Sequence, residues 1–372
     1  MKNNKNSGTT GRVAGRGFTL IELLVVMGII AVLAALLLPA LSKVQTTARR
    51  AATKSMLTNF LNASDSFEVD NKRTPGHFPQ TLMGASANGA VASGSFVGLT
   101  NMENALIDLA GGVIPETDPL FSISPNSMNS IRLVAPYEAG AGMLKIDTAS
   151  VGSGEFGGGY FSDSDGSLSP IAGQAGVNTG PGELTSTLMP DLIDSWGEPI
   201  MLWLRDEGAR GVPPSDPTDP TYFANENADG AAPGVGRSLF YWASNAGYLR
   251  STNLGEDGID QDTASILGGV ASGNSLEEMQ RALQAVLGSP GFPVERPNDT
   301  EQWRPAKPRG SVIAISAGPD QVYFKKGILD PAQADDSRNK LFYAPNQGYE
   351  TFNGDAVRAI DSFDDLISST GG

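Results

Sequence analysis

The most apolar part of the chain lies near its start, at residues 18–38 (FTLIELLVVMGIIAVLAALLL), where only Thr19, Glu22 and Gly28 interrupt the run. A helix of this length rises about 1.5 Å per residue and is about 31 Å long, roughly the thickness of the hydrocarbon core of a bilayer. A helix that is apolar on every side belongs in lipid or in a large protein interior. The pattern therefore predicts a transmembrane helix at residues 18–38.

Beyond Pro39 the pattern becomes that of an amphipathic helix. Apolar residues recur at steps of three and four from Leu41 to Phe67, and mostly lysine, arginine and asparagine fill the other face. The sequence Thr74-Pro75-Gly76 then ends the pattern. We expect one long helix over residues 18–75, kinked at Pro39 because an internal proline removes a hydrogen bond and crowds the preceding turn. The alternative at Pro39 is a plain helix end.

Residues 76–372 are predicted to form a head of α+β class. Capping boxes (Thr or Ser, then Glu three residues later) predict helices at 100–110 and 275–287. Apolar runs predict strands at 130–135, 199–204, 238–243, 311–316 and 321–324. An antiparallel sheet packed on the long helix would bury these apolar faces. The chain contains 45 Gly and 24 Pro, and large loop insertions are expected at 80–190 and 211–236.

Composition argues against several functions. The 41 acidic residues outnumber the 26 basic ones, and the net charge of −15 argues against a nucleic-acid partner, whose phosphates require clustered cations. The absence of cysteine removes disulfides, thiol nucleophiles and zinc-thiolate sites. Only one histidine, His77, is present. We therefore expect no enzyme and assign no catalytic residue.

The first 17 residues form a basic leader that contains no acidic residue. Its cations precede the apolar run, which favours a cytoplasmic N-terminus, although Lys43, Arg49 and Arg50 follow the run closely and weaken this rule. An ordinary secretory signal would have a shorter apolar run with a small-residue cleavage site after it. The leader is therefore predicted to precede a membrane anchor.

Glu22 is the anomaly within the apolar run. A carboxylate in a membrane segment costs about 2.5–3.5 kcal/mol on insertion scales and is usually paired and functional. A cut between Gly17 and Phe18 would create an α-amine, with a pKa of about 7.7–8.0, four residues from Glu22. The Glu22 of one subunit could then neutralise the amine of a neighbour. The alternative is a polar residue tolerated near the lipid headgroups.

The run GFTLIELLVV at residues 17–26, after a basic leader, resembles the prepilin processing motif of type IV pilins and type II secretion pseudopilins. The resemblance implies that a prepilin peptidase cuts after Gly17 and methylates the amine of Phe18. It also implies that Glu22 guides docking into a helical filament. Pro39 matches a position where members of the family often carry proline. The fold implied is pilin-like.

The function implied by this resemblance is that of a pseudopilin subunit of a type II secretion system. Such a subunit assembles with itself and with other pseudopilins into a periplasmic pseudopilus that exports folded proteins. Its further partners would be the prepilin peptidase and the inner-membrane secretion platform. The protein would cross the bacterial inner membrane once, with a cytoplasmic N-terminus and a periplasmic head.

A weaker resemblance to the major pseudopilin lies in the C-terminal half, at 194–199 (DSWGEP), 315–320 (ISAGPD) and 364–367 (DDLI). It implies a Ca²⁺ site at Asp320, Asp364 and Asp365, and calcium does favour six to eight hard oxygens. In that family the last two of these segments are close in sequence, whereas here residues 321–363 separate them. Asp355 or Asp361 could then take the place of a ligand in a rebuilt site. The rival calcium site within one short acidic loop consists of Asp257, Asp260 and Asp262.

Two other functions stay open. A type IV pilin or minor pilin, acting in adhesion, motility or DNA uptake, shares the amino-terminal motif, but such pilins often carry a C-terminal disulfide that this chain cannot form. A membrane-anchored exported hydrolase ranks lower. Glu198 and Asp206 could serve as its acid and base, but no spacing brings them together.

Overall fold

The computed structural model divides the chain into two compact units, residues 1–48 and 49–372. The structure describes residues 19–76, 100–114, 190–205, 261–267, 308–325 and 363–370, together with shorter pieces. The shorter pieces are 130–134, 143–147, 151–152, 159–162, 166–169, 222–224, 238–241, 245–249, 283, 286–288, 293–296 and 299–305. In the first unit the described residues belong to the start of one long helix, and the second unit contains the head.

The long helix, α1, runs from Leu20 to Asn71 with Pro39 inside it. It ends where Lys72 adopts a left-handed conformation (φ 57°) and its N–H donates to the Glu68 carbonyl at 2.8 Å. The elements that follow, in chain order, are α2 (Asn101–Leu109), β1 (Val113–Ile114), β2 (Ser130–Val134), β3 (Met143–Asp147), β4 (Leu168–Ser169), β5 (Asp191–Leu192), β6 (Met201–Leu204), β7 (Tyr222–Ala224), β8 (Ser238–Tyr241), α3 (Ala246–Leu249), α4 (Gln261–Ala264), β9 (Pro293–Arg296), β10 (Asp299–Pro305), β11 (Val312–Ser316) and β12 (Leu366–Thr370).

The head is organised around an antiparallel sheet of order β12-β11-β6. In this sheet β11 pairs with β6 from Val312↔Leu204 to Ile315↔Met201, and with β12 from Val312↔Thr370 to Ser316↔Leu366. Every residue of β6 and β11 is buried. The sequences MLWL and VIAIS are continuous apolar runs because the sheet is covered on both faces.

The two faces of this sheet belong to two apolar cores. On one face, Leu202, Leu204, Val312 and Ala314 pack in a cluster with the second half of α1 and with α2. On the other face, Met201, Trp203, Ile313 and Ile315 belong to a second cluster. That cluster also contains Phe240, Tyr248, Leu249, Ile266, Leu267, Leu283, Val286, Leu287, Tyr323, Phe324 and Phe363. The central strand β11 therefore takes part in both cores through alternate side chains.

Smaller antiparallel sheets complete the described part of the head. One has the order β1-β3-β2, and the others are the pairs β10-β9, β4-β5 and β7-β8. The predicted fold class, α+β and pilin-like with a long N-terminal helix and an antiparallel sheet, is confirmed. The helix predicted at 100–110 is confirmed as α2, with both hydrogen bonds of its Thr100–Glu103 capping box present.

One predicted strand is wrong, and among the described strands that were not foreseen is β12 of the main sheet. Residues 321–324 form turns rather than a strand, and Gln321 and Phe324 adopt positive φ angles of 59° and 51°. The side chains of Tyr323 and Phe324 instead anchor this turn in the second core. Strand β12 was missed because its sequence, LISST, has no apolar run of the kind used to predict strands. Its residues are half-buried. Most of the helix predicted at 275–287 lies outside the described residues.

Candidate functional site

At the start of α1, Glu22 and Thr19 form a reciprocal hydrogen-bonded pair. The Glu22 carboxylate (Oε2) accepts hydrogen bonds from the Thr19 N–H and from the Thr19 hydroxyl, both at 2.8 Å. The Glu22 N–H donates to Thr19 Oγ1 at 3.3 Å. This arrangement is a capping box, which satisfies N–H groups that have no partner within the helix. Gly17 and Phe18, the residues of the predicted cleavage, lie outside the described residues.

The apolar side chains that follow Glu22 are exposed. Among the large ones up to Leu38, the exposed fraction ranges from 46 % at Val26 to 82 % at Leu20. By length and composition, α1 is the one helix in the described part of the chain that could cross a membrane. Pro39 lies inside α1, and its carbonyl accepts a hydrogen bond from the Ser42 hydroxyl at 3.0 Å. A surface this apolar requires lipid or another protein chain to cover it.

In the head, Asp194 organises the turn at 194–198. Its Oδ1 accepts hydrogen bonds from the N–H groups of Trp196 (2.8 Å) and Glu198 (3.0 Å), and its Oδ2 accepts one from the Ser316 hydroxyl at 2.6 Å. Burial raises the pKa of Asp194 above its ordinary value of 3.8, and these hydrogen bonds oppose the rise. The turn also meets α1, because Ser195 N–H donates to Thr53 Oγ1 at 3.1 Å.

The three predicted calcium ligands are brought close to one another although residues 321–363 separate them in sequence. Pairing of β11 with β12 places the residues after Ser316 beside those before Leu366. The approach is close at Gly318 (φ 72°), where a Cβ atom would lie only 2.5 Å from the Asp364 carbonyl oxygen. Any other residue at 318 would therefore disturb the site.

Each of the three carboxylates has a different environment. Asp365 accepts from the Phe324 N–H through both oxygens at 3.0 and 3.1 Å, and Asp320 Oδ1 accepts from the Val322 N–H at 3.1 Å. Asp364 Oδ1 is buried without a hydrogen-bond partner. Burial, with a further contribution from the charge of Asp364, raises the pKa of Asp320 to about 6. Burial also raises the pKa of Asp365, and the charges of Asp320 and Asp364 raise it further.

These oxygens suit a hard cation in type, but they do not surround one point. Within the described residues, no three Asp, Glu or His side chains form a group that could hold a metal ion. A cation beside Asp320 and Asp364 would need backbone carbonyls to complete its shell. The rival set is not described far enough to compare, because Asp257 and Asp260 lie outside the described residues and only the backbone of Asp262 is described, in α4.

Residues proposed for hydrolysis are not brought together in the part of the chain that can be described. Glu198 is buried in the turn formed by Asp194, with its N–H bound to the Asp194 carboxylate. Asp206 lies outside the described residues. The structure therefore adds no support for a hydrolytic site at this pair.

Comparison with known proteins finds a family match in the N-terminal part of the chain. A family described as "Prokaryotic N-terminal methylation motif" matches residues 14–38. The chain is also 36 % identical over 92 residues to the "Type IV wide pilus major component PilA4" of Thermus thermophilus, an alignment that covers 20 % of this chain and 67 % of that protein. The chain belongs to the type IV pilin and prepilin family. No solved structure matches the chain significantly.

Membership of the prepilin family explains why the first half of α1 is both apolar and exposed. The matched segment, residues 14–38, ends one residue before Pro39 and contains the Thr19–Glu22 capping box. An apolar helix that follows a prepilin motif fits membrane anchoring of a pilin-type protein. Our sequence analysis noted Glu22 but missed Thr19 as its partner. The signal was present, because threonine followed three residues later by glutamate before an apolar run is the signature of a capping box.

Proposed function

We propose that this prepilin is processed after Gly17 and assembles through α1 into a filament of parallel copies. The observation that carries the proposal is the contrast within α1, where apolar residues up to Leu38 are exposed while Leu57 and Phe60 are fully buried. Before assembly, lipid would cover the exposed half. In the filament, the helices of neighbouring copies would cover it. The protein thus acts as a structural subunit and not as an enzyme.

Glu22 would set the register between copies. A carboxylate left unpaired among apolar side chains is costly, and the α-amine of Phe18 in a neighbouring copy would neutralise it. Before assembly, when the helix is in the membrane, Thr19 would supply hydrogen bonds to one oxygen of Glu22. A single carboxylate oxygen accepts both hydrogen bonds from Thr19. The other oxygen would be available to the amine.

Processing and docking are tested by two substitutions in the full-length chain. Gly17→Ala should leave the leader attached, so that the mass of the membrane-bound protein corresponds to the complete chain. Glu22→Ala should be processed and inserted normally but should give few filaments. Glu68→Ala, which removes a glutamate outside the apolar run, is the matched control and should assemble normally. Wild-type filament yield from Glu22→Ala would contradict the docking role.

We propose further that the filament is the periplasmic pseudopilus of a type II secretion system. The protein would be anchored in the bacterial inner membrane by a single helix, with the N-terminus in the cytoplasm and the head in the periplasm. Its partners would be other pseudopilins, the prepilin peptidase and the secretion platform. The absence of cysteine supports this assignment, because the chain cannot form the C-terminal disulfide frequent in pilins.

The second candidate is a type IV pilus subunit, and the relative that is named as a wide pilus component favours it. Deletion of the gene separates the two. Accumulation of exported proteins in the periplasm, with surface pili retained, is expected for a pseudopilin. Loss of surface pili, with secretion intact, would overturn the pseudopilin assignment in favour of the pilus.

Calcium at Asp320 and Asp364 is a separate proposal about the head. It is supported by the hard-oxygen character of the carboxylates, by the buried Asp364 Oδ1 and by the raised pKa of Asp320. Bound calcium would neutralise carboxylates that burial makes costly to ionise. The full-length protein in detergent should melt at a lower temperature after chelation, and Asp364→Asn should lose that difference. Identical melting with and without the chelator would refute the site.

A further inference from the structure

Charges are segregated along the second half of α1. The exposed residues Arg49, Arg50 and Lys54 form a basic segment, and the sequence has no acidic residue between Glu22 and Asp65. From Ser55 to Asn71 the helix has no basic residue but contains three acidic ones, at positions 65, 68 and 70. The ion pair found among the described residues joins Arg73 to Asp108. It involves neither the basic segment nor the three acidic residues of the helix. Asp70 accepts a hydrogen bond from the Tyr160 hydroxyl within the chain, whereas Arg49, Lys54 and Asp65 take part in no ion pair among the described residues.

Beside Asp65 the head contains an open groove of about 460 Å³. One wall comes from α1 and the other from the edge strand β12. We call it the acceptor groove, and its lining residues are Thr58, Leu61, Asn62, Asp65, Ser368, Ser369 and Thr370. Leu61 is the one apolar residue of this set, and Asp65 supplies its one charge.

Two hydroxyls of the acceptor groove already donate their hydrogen within the chain and can only accept a further hydrogen bond. The Thr58 hydroxyl donates to the Lys54 carbonyl at 2.8 Å, and the Ser369 hydroxyl donates to the Arg309 carbonyl at 3.2 Å. Each has thereby used its one hydrogen, and lone pairs remain. Thr370 Oγ1 is buried without a hydrogen-bond partner. A groove of oxygen acceptors beside a carboxylate fits a cationic side chain.

The chain's own basic segment cannot reach the Asp65 end of this groove. Lys54 and Asp65 are eleven residues apart on one helix, and at about 1.5 Å per residue they are separated by about 16 Å along it. That distance exceeds the reach of a lysine side chain. Arg50 is engaged differently, since its charge helps to lower the pKa of Asp364 in the same chain. Arg49 and Lys54 are thus the cations available to a second copy.

Resting on the proposed filament, we propose that Lys54 and Arg49 of one copy dock in the acceptor groove of a neighbouring copy. Copies anchored in one membrane are parallel, so that their basic segments lie level unless the copies are offset along the axis. One offset of about 16 Å, from the rise of an α-helix, brings Lys54 level with Asp65 and places Arg49 level with residue 60, near the Thr58 end of the same groove. The groove therefore selects a staggered arrangement, and like charges oppose a level one.

Cysteine cross-linking tests this contact directly, because the natural chain has no cysteine. The double variant Lys54→Cys/Asp65→Cys cannot close a disulfide within one helix, since a disulfide needs Cα atoms about 4.4–6.8 Å apart. In assembled filaments it should form covalent ladders under mild oxidation. Ser55→Cys/Ser66→Cys is the matched control, with the same spacing on exposed positions about 100° further around the helix.

The expected result is at least about fivefold more cross-linked multimers from the 54/65 pair than from the control pair, because positions 54 and 65 of neighbouring copies face each other in the proposed arrangement, which the apolar contacts of α1 would still maintain. Charge reversal gives a second measure. Lys54→Glu should lower filament yield about fivefold or more, and Lys54→Glu/Asp65→Lys should restore it, because opposite charges meet again. Lys72→Glu makes the same change in charge outside the basic segment and should assemble normally.

The outcomes separate this contact from the filament itself. Wild-type filaments without preferential Lys54/Asp65 cross-links, or a Lys54→Glu variant that assembles as well as Lys72→Glu, would overturn the groove contact and leave the filament intact. No filament from the wild-type chain, despite processing and membrane insertion, would overturn both.

Discussion

The two halves of α1 have similar apolar side chains and opposite surroundings. Leu33 is 53 % exposed, whereas Leu57, seven turns or so further along the helix, is fully buried in the first core of the head. Hydrophobicity alone does not distinguish them. The difference lies in where the covering surface comes from, since the head supplies it for Leu57 and another molecule must supply it for Leu33.

Polar side chains differ between the halves in the same way. In the first turn, Glu22 and Thr19 bind each other. Nearer the end of the helix, polar side chains reach the head instead, as in the contact of Thr53 with Ser195 and that of Arg73 with Asp108. The described side-chain contacts of the first half thus stay within the helix, which suits a helix surrounded by lipid.

The difference between the two halves is tested most directly by making the same substitution in each of them. Leu57→Ala removes a fully buried side chain and should lower the free energy of unfolding of the head by about 2–5 kcal/mol. Leu33→Ala should leave it unchanged. Urea denaturation of the full-length protein in detergent, followed by tryptophan fluorescence, measures both. Equal destabilisation would show that Leu33 is also covered within the chain.

A smaller effect is expected where α1 joins α2. The Arg73 guanidinium binds the Asp108 carboxylate through two hydrogen bonds, at 2.6 and 3.1 Å, and lies 4.8 Å from the centre of the Phe67 ring. Asp108 also accepts the Gly76 N–H at 2.8 Å. Arg73→Ala would leave a largely buried carboxylate without this cation and should cost about 1–2 kcal/mol.

Arg49→Ala is the control for Arg73→Ala in the same denaturation experiment. Arg49 is exposed and takes part in no ion pair among the described residues, so its replacement should change stability by less than about 0.5 kcal/mol. If the two variants were equally stable, the Arg73–Asp108 pair would contribute nothing measurable to the join between the helices.

The smallest effect concerns pH and Asp194. Burial raises the pKa of Asp194, so the folded head holds the proton more tightly than the unfolded chain. This contribution to stability is present at low pH and is lost as the pH rises above about 4 and passes the folded pKa. Asp194→Asn can keep the two bonds from the Trp196 and Glu198 N–H groups through its one amide oxygen, while its NH2 would donate to Ser316 Oγ, and it should lack this decline.

Melting temperature between pH 4 and 7 measures the Asp194 effect, with Asp194→Ala as control. Alanine removes the hydrogen bonds to Trp196, Glu198 and Ser316 and should destabilise the head at every pH. An Asp194→Asn profile parallel to that of the natural chain would show that another group causes the pH dependence.

Local and periodic features of the sequence predicted the corresponding structure well. The apolar run and the three-and-four spacing predicted α1, and Thr100 with Glu103 predicted the start of α2. Strands β6 and β11 followed from apolar runs, although burial on both faces explains those runs better than alternation does. These signals depend on neighbours in sequence and need no knowledge of the fold.

Features that depend on distant contacts could not be predicted in this way. The residues of 321–324 looked like a strand because they are apolar, but Phe324 is held in a turn by the Asp365 carboxylate, 41 residues away. The pairing of Arg73 with Asp108 and the groove between Asp65 and β12 likewise require the tertiary structure. The proximity of Asp320 to Asp364 was expected only from a family resemblance.

The close approach of Gly318 to Asp364 has a consequence for how this head can evolve. The bond from Phe324 N–H to Asp365 ties together the two ends of the intervening stretch, 325–364. When the two ends of a stretch are held together in this way, the stretch can be lengthened at little entropic cost, about 0.6 kcal/mol for each doubling. Insertions or deletions between these two ends should therefore leave the pairing of β11 with β6 and β12 unchanged.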